Sequence, residues 1–338
     1  MSERDGNSRK ITINEVAEAL GVSATTVSRA LSGKGRISEE TRQRVLEYAK
    51  DQGYQPNTER RVKKGAPGEG TIAIVLPEAK ELVDQPFFYA CMSGVNEMAQ
   101  ANTFDMLVIM AGVQDLSQLR RVVGAGKVDG VILAQTYRKD PFAAYLKEQK
   151  VPFVAIGSLD DDSAVQVDYD NRGGCRDLTA VLLARGMRRI AYLGSSDGKV
   201  VNEERYAGYV QAHEDAGISV DGGIVSRDRL TVSEMERKVE QFLRRDADCI
   251  LCQDDSVCST VLKTLRGRGK KVPEDVKVAS CYNSKMLENH PLSVTTLDFD
   301  VIESGRTACR FLLDMIGGRT VPQKTILDHE VVLKDSTK

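Results

Sequence analysis

Apolar positions in the first fifty residues repeat with a helical period. Ile13, Val16, Ala17 and Leu20 recur at i, i+3, i+4 and i+7, which predicts an amphipathic helix with Glu15 and Glu18 outside its buried face. Gly21 supplies the backbone freedom a sharp turn needs, and Ser23 stands where a hydroxyl caps the next helix, beginning near Ala24. On that second helix Val27 and Leu31 point one way while Thr25 and Arg29 point nearly opposite, flanked by Ala24, Thr26, Ser28 and Ser32. A third helix starts at Ser38, carries Glu39 and Glu40 in its first turn, and has Val45, Leu46 and Ala49 as its apolar stripe, with Lys50 near its end and Gly53 beyond. Three such helices can share one small core.

From residue 71 the pattern changes. Short β-branched runs at 71–76, 106–110, 128–134, 151–156, 165–169, 189–193, 249–252 and 276–281 alternate with helical stretches such as 89–100, 172–185, 203–216, 232–244 and 256–268, and a last strand is predicted over 326–333. Continuous apolar strands separated by helices imply parallel sheets covered on both faces. About 270 residues of this pattern exceed one doubly wound sheet, so two α/β lobes with a cleft between them are expected. Ligands of such sheets bind where strand ends open into loops.

Composition narrows the class. The 338 residues are 41% apolar and 28% charged, an ordinary globular balance, and the formal net charge is only -2. That charge is unevenly shared, with 13 Lys and Arg against 9 Asp and Glu in residues 1–64 and 34 against 40 in the remainder. The basic end coincides with the trihelical segment. Neither a secretory apolar region nor a bilayer-length apolar run is found, so a cytoplasmic protein without membrane contact is expected. Seven cysteines scattered through strands and helices fit buried reduced thiols better than a disulfide framework. Cys249, Cys252 and Cys258 cluster, but no histidine is evidently placed to complete a zinc site, so no metal and no cofactor are expected.

The second helix carries the most specific chemistry. Outward hydroxyls, one methyl and one Arg suit a DNA major groove, where hydroxyls bond phosphates or bases and Arg forks onto a guanine edge. The competing reading is a helical hairpin whose Ser and Thr side chains are merely solvated.

Val16-Ala17 and Gly21-Val22-Ser23, followed by Thr26-Val27-Ser28-Arg29, form the pattern VAxxxGVSxxTVSR. With Gln85-Pro86-Phe87-Phe88, Val128-Asp129-Gly130-Val131-Ile132-Leu133, Asp170-Asn171, Arg205-Tyr206-Ala207-Gly208-Tyr209 and Thr295-Thr296-Leu297, the whole chain resembles the lactose repressor/galactose repressor (LacI/GalR) family of transcription regulators. The resemblance implies an α/β protein, with an N-terminal three-helix helix-turn-helix DNA-binding domain over 1–56 and a hinge and linker over 57–70. The two-lobed body, like a periplasmic binding protein, would span 71–338, its first lobe formed by about 71–168 and 299–324 and its second by about 169–298 and 325–338. It implies a homodimer on a pseudo-palindromic DNA operator, acting as a repressor in the sense of blocking polymerase, with a small-molecule effector, a sugar or sugar derivative, in the cleft. No catalytic constellation is evident, so an enzyme is not expected.

Carried over residue by residue, the resemblance puts Thr12, Ser23, Ala24, Thr25, Thr26, Ser28 and Arg29 against DNA, with Ala24, Thr25 and Arg29 nearest the bases and Arg36 on the backbone. On the effector side it points to Phe87, Phe88, Tyr169, Arg205, Gln253 and Asn283. An Arg, carboxamides and an aromatic face are what a polyol needs. Alternatives stand beside each: Arg205 pairing with Glu203 or Glu204, Tyr169 as core, and Gln253 and Asn283 as strand-end turn residues.

The sequence also departs from the family pattern. A hinge leucine that wedges into the minor groove is absent from Asn57-Thr58-Glu59-Arg60-Arg61-Val62-Lys63-Lys64, where Lys63 takes the wedge position counted from Pro56 and Lys64 takes it counted back from the strand. Gln253-Asp254-Asp255-Ser256 replaces the usual Asn-Asp run, and Asn283 stands for a frequent Asp. A different ligand is implied.

Overall fold

The computed structural model describes residues 13–32, 37–52, 70–78 and 85–338. The chain divides into two separately packed units, residues 1–64 and 65–338. The calls on Thr12, on Arg36, and on Lys63 with the rest of the hinge lie outside the described residues.

The small unit has α1 (Ile13–Leu20), α2 (Ala24–Ser32) and α3 (Glu39–Asp51). Gly21 adopts φ +66°, a left-handed turn that the backbone of an L side chain rarely takes, and so ends α1 where the sequence places the break. Both expected caps form: the hydroxyl of Ser23 accepts from the Thr26 N–H at 3.1 Å, and that of Ser38 from the Thr41 N–H at 3.2 Å. Val16, Ala17, Val27, Ala30 and Val45 make the core, with Leu20, Val22, Leu31, Ile37 and Tyr48 packed against it. Leu46, expected inside, is 43% exposed, because Val45 and Ala49 already occupy the inward face of α3 and Leu46 lies about 100° round the helix from Val45.

The large unit contains two six-stranded sheets. The first uses β1 (Gly70–Leu76), β2 (Phe104–Met110), β3 (Gly130–Leu133), β4 (Phe153–Ile156), β5 (Val165–Tyr169) and a late strand β11 (Lys324–Leu327), all parallel in the order β11-β5-β4-β3-β1-β2. Its helices are α4 (Pro86–Ala101), α5 (Ser117–Gly124), α6 (Pro141–Glu148) and α12 (Val301–Ile316). The second has β6 (Ile190–Leu193), β7 (Val225–Ser226), β8 (Cys249–Cys252), β9 (Lys277–Ser280), β10 (Thr295–Asp298) and β12 (Glu330–Val332), in the order β12-β10-β9-β8-β6-β7, with only β12 antiparallel to its neighbour. It is covered by α7 (Asn171–Ala184), α8 (Val200–Asp215), α9 (Val232–Arg244), α10 (Asp255–Gly267) and the short α11 (Lys285–Glu288).

Both sheets are buried on both faces, as their continuous apolar strands require. Ile72, Ile74 and Leu76 of β1 join one core cluster while Ala73 and Val75 join the other. The same alternation governs β8 and its cysteines. Cys252 packs with Cys258 on one face, Cys249 lies on the opposite face, and the sheet between them prevents the three sulfurs from sharing an ion. All seven cysteines are buried free thiols.

The expected strand over 326–333 is two strands. β11 pairs with β5 and β12 pairs with β10, so the chain changes sheet between Leu327 and Glu330 rather than at 324–325. The other crossings lie at Asp170, between β5 and α7, and at Phe299-Asp300, between β10 and α12. Three connections therefore join the lobes.

Candidate functional site

On α2 of the small unit, Thr25 and Arg29 are both exposed, one helical turn apart and opposite the buried Val27 and Ala30. Ser23 is also exposed, its hydroxyl shared with Thr26 Oγ1 at 2.9 Å. Ala24 is half-buried against the trihelical core, a position less open than the sequence suggests. α2 thus presents one polar edge, and its only cation, Arg29, sits on it.

In the large unit a cavity of about 270 Å³ opens between the two sheets. Its wall is built by residues at or just past the C-terminal ends of parallel strands: Gln135 and Thr136 after β3, Gly157 after β4, Asp168 and Tyr169 of β5, Ser195 after β6, Gln253 and Asp254 after β8, and Tyr282 after β9. Strand ends leave backbone groups and loops open to a ligand, which is why doubly wound sheets bind there. Five of the six residues expected on the effector side meet in this wall: Phe87, Phe88, Tyr169, Arg205 and Gln253.

Arg205, on α8, is 8% exposed. Its Nε donates to Asn171 Oδ1 at 3.2 Å and its Nη1 to the Gln253 carbonyl at 2.8 Å. The alternative pairing with its helix neighbours does not occur: Glu203 is held by Arg227 at 2.6 Å, and among the described residues no carboxylate forms a salt bridge with Arg205. Two protein acceptors fix the guanidinium in the cavity wall, which makes it a preset donor for ligand oxygens.

Asp168 lies beside this group, its Oδ1 accepting from Asn171 Nδ2 at 3.1 Å and its Oδ2 from the Ser158 hydroxyl at 2.7 Å. Burial pushes its carboxyl above the ordinary value, while the Ser158 hydroxyl, the Tyr169 N–H and the charges of Lys324 and Arg205 oppose the shift. Gln253 is 4% exposed, but its side-chain oxygen already accepts the Ser195 N–H at 2.7 Å, so it ties the β6 and β8 loops together. The hydroxyl of Tyr169 is likewise spent, donating to the Asp300 carbonyl at 2.6 Å, and its ring faces Phe299 at 4.6 Å. Phe299 stacks on Tyr282 at 6.2 Å, and Tyr282 meets Phe87 edge-on at 5.8 Å. A continuous aromatic run therefore crosses from one lobe to the other.

Asn283 is not part of the cavity wall. Its amide nitrogen turns to Glu288 at 3.4 Å, and the alternation of the strand end gives the wall position to Tyr282. Three wall residues hold a buried polar atom with no hydrogen-bond partner among the described residues: Gln135 Oε1, Ser195 Oγ and Asp255 Oδ2. Sequence reading missed these, together with Asp168, Asn171 and Lys199; their common signal is position at or beyond the C-terminal end of a strand, before the next helix has run its first turn.

Comparison with known proteins decides the family. Residues 12–57 match the model of bacterial regulatory proteins of the lacI family, and residues 179–337 that of the periplasmic binding protein-like domain. Over 336 residues the chain is 30% identical to the HTH-type transcriptional regulator CelR of Thermobifida fusca, covering 97% of this chain and 98% of the relative. The chain belongs to the LacI family. As a LacI-family protein it is a DNA-binding transcription regulator, and its α2 is the second helix of the family's helix-turn-helix. The HTH-type transcriptional repressor CytR of Escherichia coli is 28% identical over 338 residues, covering 97% of this chain and 96% of its own. A solved CelR–cellobiose complex superposes with a TM-score of 0.72 at 30% identity, over 97% of this LacI-family chain and 100% of the other. Among the described residues no helix is long and apolar enough to cross a membrane.

Proposed function

We propose that this LacI-family regulator is a cytoplasmic repressor that binds a pseudo-palindromic operator as a homodimer and is controlled by an uncharged carbohydrate held between its lobes. The DNA side rests on the polar edge of α2, where Thr25 and Arg29 are presented for base contact, with Ser23, Thr26, Ser28, Thr12 and Arg36 as companions and Lys63 on the backbone. Ala24, half-buried, contributes its methyl at most. Two copies are needed because one head reads a half-site too short for useful specificity, and a two-fold axis matches a palindrome.

The effector side rests on one observation: a cavity in which aromatic rings face buried polar atoms that no other described residue matches. Rings cover the C–H faces of a sugar, and the Arg205 guanidinium, Gln135 Oε1, Ser195 Oγ and Asp255 Oδ2 answer its hydroxyls. Five aspartates in the wall against three cations, Lys199, Arg205 and Arg229, oppose a phosphate or carboxylate. The similar CelR is known in complex with cellobiose, in keeping with this class.

The test pairs two measurements on the full chain. A thermal-shift screen should respond to an uncharged mono- or disaccharide and not to sugar phosphates, and a gel shift on genomic fragments should respond to the same sugar. A ligand at 100 times its dissociation constant stabilises by about 2.7 kcal/mol, which is readily seen. Melting unmoved by every uncharged sugar and raised by a sugar phosphate would overturn the effector reading; indifference to every duplex would overturn the operator reading.

A further inference from the structure

Asp255 opens α10, but Asp254 already caps that helix, its Oδ1 accepting the Val257 N–H at 2.9 Å. Asp255 is 3% exposed and stands in the cavity wall. One carboxylate oxygen, Oδ1, accepts the Ser256 N–H at 3.0 Å; the other, Oδ2, has no partner among the described residues, and no Lys or Arg among them forms a salt bridge with the group. Burial lifts its carboxyl to about 6 and the adjacent Asp254 adds to the rise; the nearby Ser284 hydroxyl opposes it but makes no hydrogen bond to Oδ2. Tyr282, also in the wall, is the titratable group facing it from the loop after β9.

A buried carboxylate oxygen without a donor is a cost to the unliganded protein. Position and chemistry agree on what removes that cost: a hydrogen-bond donor arriving in the cavity. We propose that Asp255 is a specificity-determining residue of the effector site, its Oδ2 accepting a hydrogen bond from one hydroxyl of the bound carbohydrate. The inference rests on the carbohydrate reading of the cleft and adds to it a residue and a direction of hydrogen bonding. A ligand lacking that hydroxyl leaves the oxygen unsatisfied and binds poorly, whereas a ligand bringing a second anion is repelled.

Asp255→Asn tests this because a structural and a ligand-reading role move two readouts differently. In unliganded full-length protein the melting temperature at pH 7.5 should rise, since an amide has no charge to desolvate. The gain should fade as pH falls from about 6 towards 4, where the wild-type carboxyl is itself protonated. Cellobiose, maltose, glucose and ribose serve as probes, and calorimetry with whichever gives the largest wild-type shift should show Asp255→Asn and Asp255→Ser each weakening affinity at least tenfold. One deoxy analogue of that sugar should bind wild type as weakly as the parent sugar binds the variants, with little further loss on them. A lower unliganded melting temperature in Asp255→Asn, or unchanged affinity for a sugar that wild type binds, overturns the role of Asp255 alone. Preference of wild type for a sugar phosphate overturns the carbohydrate reading and this inference with it.

Discussion

The backbone N–H of Arg138 donates to the carbonyl of Gly198 at 3.2 Å, joining a loop that follows β3 in one lobe to a loop that follows β6 in the other. Tyr137 and Lys199 form an antiparallel bridge beside it, and the Val200 N–H reaches the Thr136 carbonyl at 3.4 Å. Thr136 and Lys199 both line the cavity, so these bonds hold its rim. Gly198 adopts φ +82° with open space where a Cβ would stand, so a substitution there acts through the backbone alone. Gly198→Val is expected to strain the bridged form by about 1–2 kcal/mol and weaken effector affinity roughly tenfold. Calorimetry measures the loss, and small-angle scattering should show a larger radius of gyration.

Arg205 is the second test. Removing its guanidinium strands Asn171 Oδ1 and the Gln253 carbonyl and deletes the donor aimed at the ligand. Arg205→Ala is expected to cost about 2–5 kcal/mol of effector binding, a loss of roughly thirtyfold or more. Operator affinity without effector should stay near wild type; a thermal shift that survives the substitution excludes Arg205 from the site.

Arg29→Ala separates the two ends of the molecule. The side chain is exposed on α2, far in sequence from every cavity residue, so the sugar-induced thermal shift should be unchanged. Discrimination between operator and scrambled duplex should fall by about 1–3 kcal/mol if the guanidinium reads a guanine edge. Equal losses on both duplexes would make Arg29 a phosphate contact.

The hinge sequence sets a second expectation on DNA. Residues 57–64 hold Arg60, Arg61, Lys63 and Lys64 but no leucine, and apolar wedges are what hold a minor-groove kink open. Cations gain by neutralising phosphate, with log affinity falling against log salt by about 0.9 per phosphate contacted. Lys63→Leu is therefore expected to flatten the salt dependence and increase operator bending, read by fluorescence energy transfer across the duplex. A sharp central kink with the wild-type sequence contradicts this account.

His213 governs part of the acid response. Its ring is 2% exposed, packed on Tyr209, and burial lowers its pKa from the ordinary 6.5. The unfolded chain therefore binds a proton that the folded one resists. Stability from this group is complete above about pH 6.5 and is lost as the pH falls below it. His213→Phe should lessen the drop in melting temperature between pH 6.5 and 5; an unchanged slope would place the acid sensitivity elsewhere.

Legibility in the sequence followed the strength of local signals. Ser23 and Ser38 announce caps because a hydroxyl before an amphipathic run has one local use. The strand β10 was overlooked as a strand because Thr295 and Thr296 break the apolar run that marks its neighbours. β11 and β12 merged because two short strands of different sheets, four and three residues long, lie two residues apart. Arg205 could be placed from its motif, but its partners could not, since Asn171 and Gln253 are 34 and 48 residues away. Asp255 reads locally as an ordinary first-turn acid; only its burial in the cavity wall reveals an oxygen without a donor among the described residues.

The late position of β11 and α12 has a consequence for the birth of the molecule. Until residues 301–316 emerge, the sheet face bearing Ile72, Ile74 and Leu76 has only α4 as helical cover, and until Leu327 emerges β5 remains an open edge. By then nearly all of the second sheet has been synthesised. Synthesis therefore cannot finish one lobe before starting the other, and the ribosome releases a chain whose halves must reach their native state together.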